Sequence, residues 1–368
     1  MGSGAVGACA QAAARAGCQA GALSDPIHGG LDLEPDADAA PEADAPPPQL
    51  LDADGQPVLT LFGLSGRAVP ALYLVGWIGS AMGAGLLVVS LMGAGNPGAR
   101  WMLLFGLVVA AIGLFAAVGS QAVERQRRPS LLYRGPSPVL TFLVAVVLTL
   151  LALVIVLAPL SALGMDPGSP VGTLVSVGLT ALVYIAVVRL LVVGPGAFTW
   201  TDLGLGAPGA AAARDLAAGV ALGIPVLVVT IGLQIVLAAL IAPVPAILPA
   251  AGGAGGLLLD LVAAVLIAPI GDELFFRGFV TTAWSRMLGT NPAIVRGAVF
   301  FAFAHILTLL ATDFGNGAAT ALSQFIALLP AGLALGWVFL SRRSLYAAIG
   351  LHAVVNLGLV VLANVAKG

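Results

Sequence analysis

The sequence predicts an all-α, polytopic membrane protein, and three observations carry that prediction. Of the 368 residues, 60% are hydrophobic and only 9% are charged, whereas a soluble domain carries about 25% charged residues. The mean hydropathy is +1.06. From Val69 onward, apolar runs long enough to cross a bilayer, about 20 residues each, follow one another almost without a break.

Residues 1–66 stand apart from those runs. They are rich in Ala, Gly, Asp and Pro, and they hold nine of the 17 acids but only one base, Arg15. Such a segment buries too little apolar surface to offset its ordering entropy, so a disordered acidic cytoplasmic tail is expected here. No basic start leads into an apolar stretch, so it does not read as a signal peptide. Cys9 and Cys18 lie in this tail without metal-ligand spacing, as does His28.

Nine spans are expected, near residues 69–92, 101–122, 138–163, 171–193, 216–242, 257–280, 294–311, 319–340 and 345–366. Turn-forming residues such as Gly95-Asn96-Pro97-Gly98 mark several connections. Placing the N-terminus inside puts Arg67, Arg125, Arg127, Arg128, Arg134, Arg189, Arg214, Arg286, Arg296, Arg342 and Arg343 on the cytoplasmic side. Only Arg100 and Lys367 then fall outside, which is a strong positive-inside bias. The Ala/Gly/Arg-rich composition with a single lysine points to a bacterial inner membrane, with the C-terminus outside. The spans group into an accessory four-helix region (67–195), a cytoplasmic linker (196–213) and a core (214–368).

Small residues four apart, Gly79 with Gly83, Gly219 with Gly223 and Gly332 with Gly336, allow close helix approach in lipid and read as packing. There is no P-loop lysine motif and no basic–aromatic patch for nucleic acid. The partners implied are the lipid bilayer and a protein or peptide substrate. Oligomeric state has no signature.

Three segments place polar groups inside apolar sequence: Asp272, Glu273 and Arg277; Phe301 with His305; and His352 with Asn356. Charges within a membrane span are costly and mark functional sites. At helical spacing Glu273 and Arg277 share a face and form an ion pair. Asp272 is turned about 100° from Glu273 and about 140° from Arg277, and so is free to face a cavity. His305 lies nine residues past Arg296 and His352 nine past Arg343, each roughly 14 Å along its helix. Thr281 and Thr282 mark an interface that places Asp272 at about the same depth, roughly 13 Å. Phe301, one turn before His305, buttresses its ring.

Each motif alone has a plainer reading: a histidine hydrogen-bonding between helices, an ion pair stapling a bundle, phenylalanines that pack. Three of them at one depth point to a site. A carboxylate in a partly desolvated pocket suits general-base attack by water. Histidine can share the proton, and an amide with a histidine N–H can hold an oxyanion. The rival chemistry is zinc, with His305, His352 and either Asp272 or Glu273 as ligands. Asn356, a poor zinc ligand and a good oxyanion donor, tilts the choice toward a metal-free site without cofactor.

These residues resemble the CAAX-protease and bacteriocin-processing (CPBP, Abi) family of intramembrane endopeptidases, also known as type II CAAX prenyl proteases. Its Glu-Glu-x-x-x-Arg, Phe-x-x-x-His and His-x-x-x-Asn patterns meet Asp272-Glu273…Arg277, Phe301…His305 and His352…Asn356 in the same order. The resemblance spans about residues 214–366. It implies a helical core with an active site toward the cytoplasm, where Asp272 and His305 activate water and His352 with Asn356 form the oxyanion hole. Members have also been labelled metalloproteases. The departure is Asp272, where the family usually has Glu; an acid one methylene shorter leaves open that Glu273 serves as base. It also leaves open a protein that binds substrate or confers bacteriocin immunity without cutting. A secondary transporter is the remaining alternative, weakened by the lack of an internal repeat.

Overall fold

The computed structural model describes residues 64, 67–128, 130–246, 253–307 and 314–365. The chain divides into two units, residues 1–45 and 46–368, and every helix described belongs to the second. The tail expected over 1–66 lies, apart from Leu64, outside the described residues.

The described residues form nine helices and no strand. In chain order they are α1 Pro70–Met92, α2 Ala99–Gln126, α3 Pro138–Ala162, α4 Pro170–Val193, α5 Ala210–Leu240, α6 Ala254–Leu288, α7 Thr290–Ile306, α8 Phe314–Arg342 and α9 Leu345–Val365. All but α7 are long and apolar enough to cross a membrane. The span expected over 294–311 is thus the 17-residue helix α7, and the one expected over 257–280 runs 35 residues.

Local sequence explains the starts. Pro70, Pro138 and Pro170 sit at the first turns of α1, α3 and α4, where the missing N–H costs nothing and the fixed φ favours the helix. Ser169 caps α4, its hydroxyl accepting from the Gly172 N–H at 3.2 Å. Many large apolar side chains face outward, among them Trp77, Ile112, Ile235 and Trp337. Exposure on that scale belongs to a lipid-facing surface.

The small-residue pairs pack as expected. Gly79 and Gly83 of α1 lie against Gly113 and Ala110 of α2, and Gly332 and Gly336 of α8 lie against Ala298 and Ile294 of α7. On α5, Gly219 meets the Ala347 carbonyl of α9, and Gly223 meets Val354.

Contacts gather many helix ends at one end of the bundle. Arg67 before α1 pairs with Glu124 near the end of α2 at 2.8 Å. Tyr133, between α2 and α3, stacks on Phe198, just after α4, with ring centroids 5.0 Å apart. Burial pushes the Tyr133 hydroxyl well above its ordinary pKa. Arg286 near the end of α6 bonds Asp202 at 3.2 Å, and Arg342 at the end of α8 bonds Asp215 near the start of α5 at 2.9 Å. The arginine-rich ends thus share one end of the structure, while Arg100 sits in the first turn of α2.

The linker expected over 196–213 is a built connection. Leu345 N–H donates to the Gly204 carbonyl at 2.9 Å, and the Tyr346 hydroxyl donates to the Gly206 carbonyl at 3.0 Å. Thr199 donates to Asp202 from both its backbone N–H and its hydroxyl, at 2.9 and 2.7 Å. These bonds hold the Asp202 carboxyl below its ordinary pKa. The α4–α5 connection is therefore clamped to the ends of α6 and α9, which polar composition alone does not reveal.

Candidate active site

The site is organised by α6, and α6 is not a uniform α-helix. Two π-helical stretches, Val262–Ile267 and Glu273–Thr281, flank the short α-helical stretch Ala268–Asp272. Pro269 supplies a local cause for the first. It has no N–H for the i−4 carbonyl, and its ring crowds that carbonyl, so the turn before it widens. In the second, the hydroxyls of Thr281 and Thr282 donate five residues back, to the carbonyls of Phe276 at 2.8 Å and Arg277 at 3.3 Å. Both threonines are buried. Thr281 also packs against Gly297 of α7.

The winding also corrects the angular argument. In an i→i+5 helix each residue turns through less than about 100°, so Arg277 lies closer in angle to Asp272 than the about 140° of standard winding. Arg277 interacts electrostatically with both acids. Its hydrogen bond nevertheless goes to Glu273, Nη1 to Oε1, at 3.1 Å. Both side chains are essentially inaccessible, 1% and 0% exposed, which makes this an enclosed pair; Arg277 also reaches the Gly332 carbonyl of α8 at 3.4 Å.

Glu273 has a second partner that helical spacing could not show. The same Oε1 accepts from His352 Nδ1 at 2.7 Å. Its other oxygen, Oε2, is buried with no hydrogen-bond partner among the described residues. One carboxylate oxygen thus joins α6 to α9 through Arg277 and His352, and the other is left over.

The remaining expected residues come together around Phe301. Its ring centroid lies 4.2 Å from that of His305 and 5.9 Å from that of His352. The Arg277 guanidinium sits 4.1 Å above it, an attractive placement over the negative ring face. His305 Nδ1 bonds the Phe301 carbonyl at 2.8 Å. A carbonyl can only accept, so Nδ1 carries the hydrogen and the acceptor lone pair of a neutral ring is on Nε2. His352 and Asn356 are both buried, one helical turn apart on α9. Asn356 donates one amide N–H to the Ala264 carbonyl at 2.8 Å, in the first π stretch. Asp272 is half-buried, unlike Glu273, and it interacts electrostatically with both histidines.

All six residues expected at the site, with Phe301, therefore lie in one region built by α6, α7 and α9. Among the described residues, no three His, Cys, Asp or Glu side chains are grouped so as to hold a metal ion. Glu273 is already engaged by a guanidinium and an imidazole.

Sequence reasoning missed some participants. Gln324 of α8 reaches the His305 carbonyl at 3.5 Å, a weak contact; its signal was an amide in an apolar run. The four-helix region expected to be accessory supplies a wall. Tyr184 of α4 stacks on Phe275 with centroids 4.7 Å apart, and Phe142 of α3 lies 6.1 Å from both Phe275 and Phe276. Gly271, beside Asp272, packs directly on Ala181 of α4.

No curated protein and no solved structure matches the chain. A family model does, described as type II CAAX prenyl endopeptidase Rce1-like, over residues 254–358. That stretch runs from the start of α6 to beyond Asn356 and leaves out α5, so it is shorter than the resemblance read over 214–366. Residues 254–358 of this multi-pass membrane protein are thus similar to an Rce1-like domain, which supports the resemblance to the CAAX-protease (CPBP) family of endopeptidases over that stretch.

Proposed function

We propose that the protein is an intramembrane endopeptidase that hydrolyses a peptide bond of a membrane-associated protein or peptide without a metal. The observation that carries this reading is the gathering of a half-buried acid and two oriented histidines around Phe301. Asp272 takes a proton from water as the water oxygen bonds to the scissile carbonyl carbon. His305, its Nδ1–H committed to Phe301, orients that water through Nε2. The oxyanion that forms is held by the second N–H of Asn356 and by Nε2–H of His352. In that form the His352 ring is doubly protonated, and the Glu273 carboxylate faces its charge. Collapse breaks the C–N bond, and the proton on Asp272 passes by way of His305 to the leaving amine. Glu273 and Arg277 are positioning residues that aim His352.

One observation favours a second assignment of the base. Glu273 Oε2 is buried with no partner among the described residues, so it has spare accepting capacity beside the same histidine. Asp272→Asn in purified, folded protein separates the two: hydrolysis of a reporter peptide is lost if Asp272 is the base and persists if Glu273 is. Activity that survives metal chelators is required by the metal-free mechanism, and stoichiometric zinc with chelator-sensitive activity overturns it. A folded protein that cuts nothing, and whose cellular effect survives His305→Ala, points instead to a family member that binds without cutting.

We place the arginine-rich end at the cytoplasmic face, by the positive-inside bias. The location is a bacterial inner membrane, with the active site opening toward that face.

A further inference from the structure

A polar cavity of about 620 Å³ lies at the arginine-rich end, and no residue of the acid–histidine cluster lines it. Arg286 and Arg343, the hydroxyl residues Thr282, Ser285 and Thr290, and Asp202 line it, with the buried ring of Phe339 as an apolar wall.

The two arginines are held differently. Arg286 is fixed: Asp202 takes its Nη2 at 3.2 Å, and its guanidinium lies 5.9 Å from the Phe198 ring centroid. The other oxygen of Asp202 is occupied by Thr199, so that acid orients Arg286 and offsets one of the two positive charges. Arg343 makes no ion pair with a described residue, whereas its neighbour Arg342 is paired with Asp215 at 2.9 Å. The cavity therefore keeps a net positive charge.

The backbone gives an independent pointer. Arg343 has φ 50°, and it is the one non-glycine residue with positive φ among those described. It follows the last residue of α8, a position where glycine relaxes the left-handed turn. The chain places an arginine there instead, and that residue lines the cavity.

Guanidinium groups with hydroxyls match the several oxygens of a phosphate. The cavity also sits among the ends of helices long enough to span a membrane. We propose that it binds a phosphate group, the headgroup phosphate of an anionic phospholipid being the source its location favours. The proposal does not depend on the protease reading.

The test uses the full chain in nanodiscs of phosphatidylcholine alone or mixed with phosphatidylglycerol. Bound phosphatidylglycerol is measured by native mass spectrometry, and Tm is followed as inorganic phosphate is titrated into the phosphatidylcholine discs. Arg343→Gly removes the guanidinium while easing the backbone, so its Tm without ligand should equal or exceed that of the wild type. It should weaken phosphatidylglycerol binding about tenfold, the effect of one lost charge-assisted hydrogen bond. A phosphate-dependent rise in Tm that Arg343→Gly removes assigns the site to phosphate itself. An effect confined to phosphatidylglycerol assigns it to the lipid. Binding of neither by the wild type, or wild-type binding of both by folded Arg343→Gly, overturns the proposal.

Discussion

The α1–α2 pair and α6 solve opposite problems with the same apolar vocabulary. In α1–α2, Gly76, Gly79 and Gly83 let two regular helices close on Ala117, Gly113 and Ala110, with large apolar side chains left to the lipid. In α6, the helix is widened twice, and a full ion pair and two threonines are enclosed inside protein. Regular winding suffices where only van der Waals packing is required. Where charges must be held in a low-dielectric interior, each needs a partner in a specific direction, and the altered winding provides directions that a standard turn does not.

The largest test of this contrast is chemical. Asp272→Asn should reduce peptide hydrolysis by about 10²–10⁴-fold, the scale of losing a general base, with Tm little changed. Loss of folding in its place would make Asp272 part of the scaffold. Next comes Glu273→Gln, which leaves the enclosed Arg277 charge without its carboxylate. Breaking one side of a buried pair costs about 3–5 kcal/mol, so thermal unfolding should move down sharply along with activity. Unchanged stability would show that Arg277 is satisfied by other groups.

A smaller and sharper pair adds one methyl group to each region. Gly83→Ala and Gly271→Ala each force a Cβ into a facing helix, α2 at Ala110 and α4 at Ala181. Overpacking of this kind costs about 1–3 kcal/mol in either place. Only Gly271→Ala should also lower kcat, by up to about 10²-fold, because it displaces the neighbouring Asp272 by a fraction of its reach. Equal effects on kcat would erase the distinction between the regions. The smallest effect is on pH dependence. Asp202 is held below its ordinary pKa, so its contribution to stability is present above the unfolded-state value and is lost as pH falls through the folded one. Asp202→Asn should flatten the decline of Tm between neutral and acidic pH, and an unaltered slope would mean the clamp is electrostatically idle.

The membrane class, the helix order and the grouping of the candidate residues were legible because they rest on composition and on residues that are expensive in lipid. Glu273 with Arg277, His305 with Phe301, and His352 beside Asn356 needed only helical spacing. The bond from Glu273 to His352 was not legible, because nothing local links residues on α6 and α9. The π winding escaped as well, since the spacing argument assumes a standard turn throughout; Pro269 and the Thr281-Thr282 pair were its local marks. The clamped 194–209 connection reads as a linker in sequence because its hydrogen bonds go to distant partners.

The two widened stretches of α6 have a consequence for phase. Each sets its own rotation, so the azimuth at which Gly271 meets α4 is decoupled from the azimuth at which Arg286 meets Asp202. A one-residue deletion within Glu273–Thr281 can restore ordinary winding and keep a continuous helix, yet it turns everything beyond it relative to Asp272. Substitutions along this helix act on contacts one at a time, whereas a change of length there acts on alignment at both ends at once.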